Sequence, residues 1–179
     1  MLRKRLLFLA AASGVVGCNQ RTAALPAPKE ALIVAGELGS HLPDFALKDL
    51  QGHQISSAEL HGKVVLIDFW ATWCQPCKKE MPGYQTLLDR YGPGGFVVIG
   101  FKFDTMADAE DPLTFAHRMG VHYPLAVAPD ELKQRFGGVE GLPTTMLYDR
   151  EGILRKKVIG FEYTEVLESI VKDLLSARQ

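Results

Sequence analysis

Between Val64 and Trp70 the chain reads VVLIDFW, seven residues with a single polar position, Asp68. That length and its β-branched and aromatic content predict a strand buried on both faces, hence a central strand of a sheet. Residues 96–101 repeat the pattern and predict a second buried strand. Between the two, Lys78, Lys79, Glu80 and Met81 are good helix formers, and Pro76 falls in a first turn, where its missing N–H costs nothing. The helix is expected to run to about Tyr91, kinked at Pro82. Asp111-Pro112 marks a helix start, N-cap then first residue, with a stop at Gly120. Residues 123–127 predict a short strand, and Asp130 caps a brief helix that stops at Phe136-Gly137-Gly138. Met146-Leu147-Tyr148, a turn at Arg150-Glu151-Gly152 and residues 153–159 predict an antiparallel hairpin. Val166, Leu167, Ile170, Val171, Leu174 and Leu175 form one apolar stripe at helical spacing over residues 164–175, with Glu168 placed to pair with Lys172. Ahead of the central strand, Phe45-Ala46-Leu47 and Gln54-Ile55-Ser56 flank a turn at residues 49–52, an N-terminal β-hairpin followed by a helical turn at residues 57–60. The sum is an α/β fold, a central mixed β-sheet flanked by helices.

The N-terminal pattern differs. Arg3-Lys4-Arg5 is basic, residues 6–12 are apolar and small residues follow, which predicts a signal peptide over residues 1–17. Val15-Val16-Gly17-Cys18 resembles a bacterial lipoprotein cleavage box, with Cys18 as the lipidated first residue; plain secretion with a free Cys18 is the alternative. Residues 18–36 lack periodicity, carry Leu25-Pro26-Ala27-Pro28 and read as a flexible tether. Residues 37–179 then form one domain. The chain has 47% apolar residues, enough for a core, and a net charge of −1 with no basic run beyond the signal, so nothing marks a nucleic-acid surface.

Three cysteines remain to be placed: Cys18, Cys74 and Cys77. Lipid on Cys18 would leave one pair and no odd thiol, as suits an oxidising compartment. In Cys74-Gln75-Pro76-Cys77 the first cysteine opens the helix, where unpaired N–H groups favour negative charge and so acidify its thiol. Cys74 is therefore the nucleophile and Cys77, one turn later, the resolving thiol. Half a zinc site has the same CxxC, but no second CxxC and no spaced His pair completes one. His41, His53, His61, His117 and His122 show no ligand spacing, and neither a metal nor a cofactor is expected.

The segment FWATWCQPC resembles the active-site segment of the thioredoxin fold, and more narrowly of the TlpA/ResA-type thiol-disulfide oxidoreductases, over about residues 39–175. The hairpin PDFALKDLQGHQI matches that narrower pattern. The resemblance implies a cis peptide at Leu142-Pro143 facing the CxxC, with Thr144 beside it and a loop that pairs with a substrate strand. Asp68, buried in its strand, matches the acid that moves the proton of the resolving thiol, and Glu80 matches the acid of ResA-type proteins. Many relatives carry only one of the two, so which serves Cys77 stays open; Glu80 could also be a solvated helix acid. Trp73 reads as an exposed rim for docking beside Pro76, Trp70 as core, and Lys78 and Lys79 as a solvated face. The family implies a monomeric periplasmic reductant of protein disulfides, among them the haem-site cysteines of apocytochrome c, tethered by lipid and recharged by a membrane electron donor. The rivals are a thiol peroxidase, where Thr or Ser is expected at Ala71, and a copper-assembly module, which wants a CxxxC and a distal His.

Overall fold

The computed structural model describes residues 36–103 and 110–177. The predicted signal peptide, Cys18, nearly all of the tether and most of the acidic loop after residue 103 lie outside the described residues. Two short strands, β1 (Ala46–Lys48) and β2 (Gln54–Ser56), pair antiparallel as the N-terminal hairpin. A 3-10 turn at Ser57–Leu60 leads to β3 (Val64–Trp70), and α1 (Gln75–Tyr91), β4 (Phe96–Phe103), α2 (Pro112–Arg118), β5 (Leu125–Ala128) and α3 (Asp130–Arg135) follow. The chain closes with β6 (Thr144–Tyr148), β7 (Leu154–Ile159) and α4 (Thr164–Ser176).

The main sheet has five strands in the order β5-β4-β3-β6-β7. β3 pairs parallel with β4 and antiparallel with β6, so this run does occupy the centre, every residue of it buried. Strand alternation sorts its side chains between two cores. Val64, Leu66 and Trp70 pack with Met81, Tyr84 and Leu87 of α1, Phe115 of α2, and Leu167 and Val171 of α4. Val65, Ile67 and Phe69 pack on the other face with Phe45, Ile55 and Leu60 of the hairpin region and with Leu132 and Phe136 near α3. By the same alternation Asp68 points to the α1 side, and so does Thr145, its direct partner in β6.

Both hairpin turns use one device. Asp49 Oδ1 accepts the N–H of Gln51 and His53, and Asp149 Oδ1 accepts the N–H of Glu151 and Ile153. Gly52 and Gly152 supply the positive φ that each turn needs (90° and 75°). At the end of the sheet where β3 and β4 begin, Arg150 donates to the carbonyls of Gly62, Gly94 and Leu175. On the α1 face, Gly83 lets the helices close up: a Cβ there would meet Thr164 Oγ1 of α4 at 2.2 Å.

Two expectations shift. Asp130 does not cap α3; it is the first helical residue, Pro129 stands at the N-cap and no side chain caps it. Val166 is 41% exposed, so the α4 stripe centres on Leu167 and Val171, and Glu168 pairs with Lys172 (3.3 Å) while also accepting from Arg90 and Tyr91. Pro82 lies inside α1, which runs on to Tyr91 as expected.

Candidate active site

Three segments meet at the end of the sheet where β3 finishes. β3 hands over to residues 71–74. Phe69 pairs with Thr144, so Pro143 sits level with Trp70; and Thr144 pairs with Ile159, so residues 160–163 emerge at the same end. Cys74 is the N-cap of α1, and its Sγ accepts the N–H of Cys77 at 3.2 Å. Cys74 and Cys77 are joined in a disulfide, with 5.3 Å between their Cα atoms, and both are buried. Trp73 is 47% exposed and Pro76 is exposed, forming a rim beside a sulfur pair that is otherwise covered. Trp70 is wholly buried and stacks on Phe115. Lys78 is half-buried with its ammonium over the Phe115 ring, while Lys79 is exposed.

The Leu142-Pro143 peptide is cis, as the motif implied. Pro143 O accepts the N–H of Gly160, and Thr144, buried, turns its hydroxyl to Gly141 O. Leu142 is half-buried against the core that contains both cysteines.

Behind the disulfide lies a polar cluster. Cys77, Glu80 and Tyr84 fall on one face of α1 at helical spacing. Glu80 is not a solvated helix acid: it is 1% exposed, and its Oε1 accepts the N–H of Glu162 at 2.6 Å. Asp68 is fully buried, and neither of its oxygens has a hydrogen-bond partner among the described residues. Burial, with the Glu80 charge added, holds its carboxyl well above the usual range. Burial also pushes Glu80 up to about 6, outweighing the N–H of Glu162 and the hydroxyl of Tyr84, both of which favour its charged form. Tyr84 donates to or accepts from Thr145 Oγ1 at 2.9 Å. The buried Tyr123 hydroxyl, unpartnered among the described residues, and the Tyr84 phenol are both driven up by burial and by the two acids. Sequence reasoning found both acids but not the two tyrosines or the Glu162 amide. For Tyr84 the available signal was its position one turn past Glu80; for Glu162, 82 residues away, there was none. Among the described residues no group of His, Cys, Asp and Glu could hold a metal, and no helix is long and apolar enough to cross a membrane.

The AhpC/TSA family profile matches residues 38–157. Thiol-disulfide oxidoreductase ResA of Bacillus anthracis is 33% identical over 178 residues, 97% of this chain and 99% of the relative. The thioredoxin-like protein YneN of Bacillus subtilis is 32% identical over 123 residues, 68% of this chain and 71% of its own length. A thiol:disulfide interchange protein of the thioredoxin family from Chlorobium tepidum superposes with a TM-score of 0.70 at 28% identity, covering 79% of this chain and all of that one. A second Chlorobium tepidum structure, assigned to thiol:disulfide interchange protein DsbE, gives 0.69 at 32% identity, covering 78% and 99%.

Proposed function

We propose that this chain, which belongs to the AhpC/TSA family and is a thiol-disulfide oxidoreductase, works as a reductant of protein disulfides outside the cytoplasm. The observation that carries the reading is the Cys74–Cys77 disulfide across the first turn of α1, with Cys74 Sγ receiving a helix N–H. In the reduced protein that N–H and the helix dipole favour Cys74 as thiolate. The thiolate attacks one sulfur of a substrate disulfide, forms a mixed disulfide and expels a substrate thiolate, which takes up a proton. Cys77 gives its proton to a buried carboxylate and attacks Cys74 Sγ, re-forming the disulfide and releasing the second substrate thiol. Asp68 and Glu80 are the candidate acceptors of that proton. Two electrons leave the protein per cycle, and a membrane dithiol donor returns them.

Gln75-Pro76 adds no positive charge beside Cys74, and whatever negative charge the buried carboxyl pair carries opposes the helix dipole, so the thiolate is not over-stabilised. That supports the reducing direction, with a midpoint nearer about −270 mV than about −120 mV. Trp73, Pro76, Leu142, Pro143 and Thr144 form the docking edge for an extended, cysteine-bearing substrate strand, for which apocytochrome c haem-site cysteines are one chemical fit. Lipid on Cys18, followed by the tether, would hold a monomeric domain on the periplasmic side of a bacterial membrane. The test is a Cys77→Ala trap. Substrates should accumulate as dithiothreitol-sensitive adducts on Cys74, none should form in the double cysteine variant, and equal trapping by Cys74→Ala would reverse the assigned roles.

A further inference from the structure

The polar cluster behind the disulfide contains more than the two acids require. Asp68 and Thr145 are direct neighbours across β3 and β6, on the face turned to α1. Tyr84 reaches that face from α1 and is pinned there by its 2.9 Å bond to Thr145 Oγ1. Glu80, one helical turn before Tyr84, is fastened from the opposite side by the N–H of Glu162. Neither oxygen of the fully buried Asp68 finds a donor among the described residues. Two carboxyls buried in one cluster do not both ionise at moderate cost.

We propose that Tyr84 is a positioning residue of this dithiol site: pinned by Thr145, its hydroxyl orients the proton that Asp68 and Glu80 share and so sets the pH at which Cys77 can be deprotonated. The proposal rests on the dithiol reading above. The other groups facing the pair are Cys77 on α1, the Tyr123 phenol ahead of β5, and the Glu162 carboxylate, which lies 3.8 Å from Lys156. Lys102, buried on the same side of β4, gives its ammonium to Phe103 O. Tyr84 is thus the hydroxyl donor nearest Glu80 along α1. With Thr145 as donor to the phenol oxygen, the phenol proton is left for a carboxylate of the cluster, and Glu80 Oε2 is buried without a partner among the described residues. Removing the phenol proton raises the apparent pKa of the pair, and the base for Cys77 is then protonated at a higher pH.

Ellman's reagent separates the two thiols in the full-length reduced Cys18→Ser protein, in which Cys74 and Cys77 are the only cysteines. The first thionitrobenzoate is released when Cys74 attacks and forms the mixed disulfide; the second leaves when Cys77 attacks Cys74 Sγ and closes the protein disulfide. In Tyr84→Phe, which keeps the ring, the pH profile of the second phase relative to the first should move up by about half to one unit. Below the midpoint resolution then runs roughly three- to tenfold slower. Thr145→Val should move it the same way by less, and the double variant should move it no further than Tyr84→Phe alone. A normal two-phase Cys18→Ser parent with superimposable Tyr84→Phe and Thr145→Val profiles overturns the proposal alone. A parent with no second phase overturns the dithiol reading, and the proposal with it.

Discussion

Glu80 is where position and chemistry are most tightly joined. Its carboxyl titrates at about 6 in the folded protein against 4.5 when free, so the folded state holds the proton more strongly. The associated stability is fully present below about pH 4.5 and is lost as pH rises through about 6, a loss of up to about 2 kcal/mol. Asp68, raised further, extends the decline to higher pH. The oxidised protein should therefore unfold at lower urea at about pH 8 than at about pH 5. Glu80→Gln should flatten the part of that slope between the two Glu80 values. A slope of unchanged size in Glu80→Gln would place the titration on another group.

At the scale of elements, the apolar runs and the CxxC were readable because their signals are local. Seven buried residues in a row can be little else than a central strand, while the cis Leu142-Pro143 peptide was implied by the family resemblance. What was not readable comes from tertiary contacts. Val166 has the right spacing for the α4 stripe, yet it stays 41% exposed. Asp130 has the right chemistry for a cap, yet Pro129 takes the extended N-cap conformation and moves Asp130 inside the helix. The tyrosines depend on which side chains two strands and a helix bring together, and the Glu162 contact is made by backbone, which every residue but proline could provide. The hairpins show a pattern that was present but unread. Asp-x-x-Gly occurs at both turns, and the aspartate, not only the glycine, closes them. Asp149→Ala would orphan the N–H groups of Glu151 and Ile153 and release Arg155. It should cost about 1–3 kcal/mol in equilibrium unfolding. No change in stability would mean that solvent serves the turn equally well.

Across the whole molecule, the two ends of the sheet have separate work. The end where β3 finishes gathers the cysteines, the cis peptide and the Glu162 amide; the end where it begins is gathered by Arg150, whose guanidinium reaches three carbonyls from distant segments. Arg150→Gln should lower stability by about 1–2 kcal/mol and leave the dithiol midpoint where it was. A displaced midpoint would show that the ends are coupled through the strands. The Gly83 contact has a different reach. Because Thr164 stands where a Gly83 side chain would be, the start of α4, two residues beyond the Glu162 amide, rests on bare backbone of α1. A single methyl at that point would act as a wedge, driven in far from either sulfur, that lifts the amide from its acid. The proton affinity of the site thus depends partly on a residue that has no side chain, and a lineage could retune its redox behaviour without touching one residue that reacts.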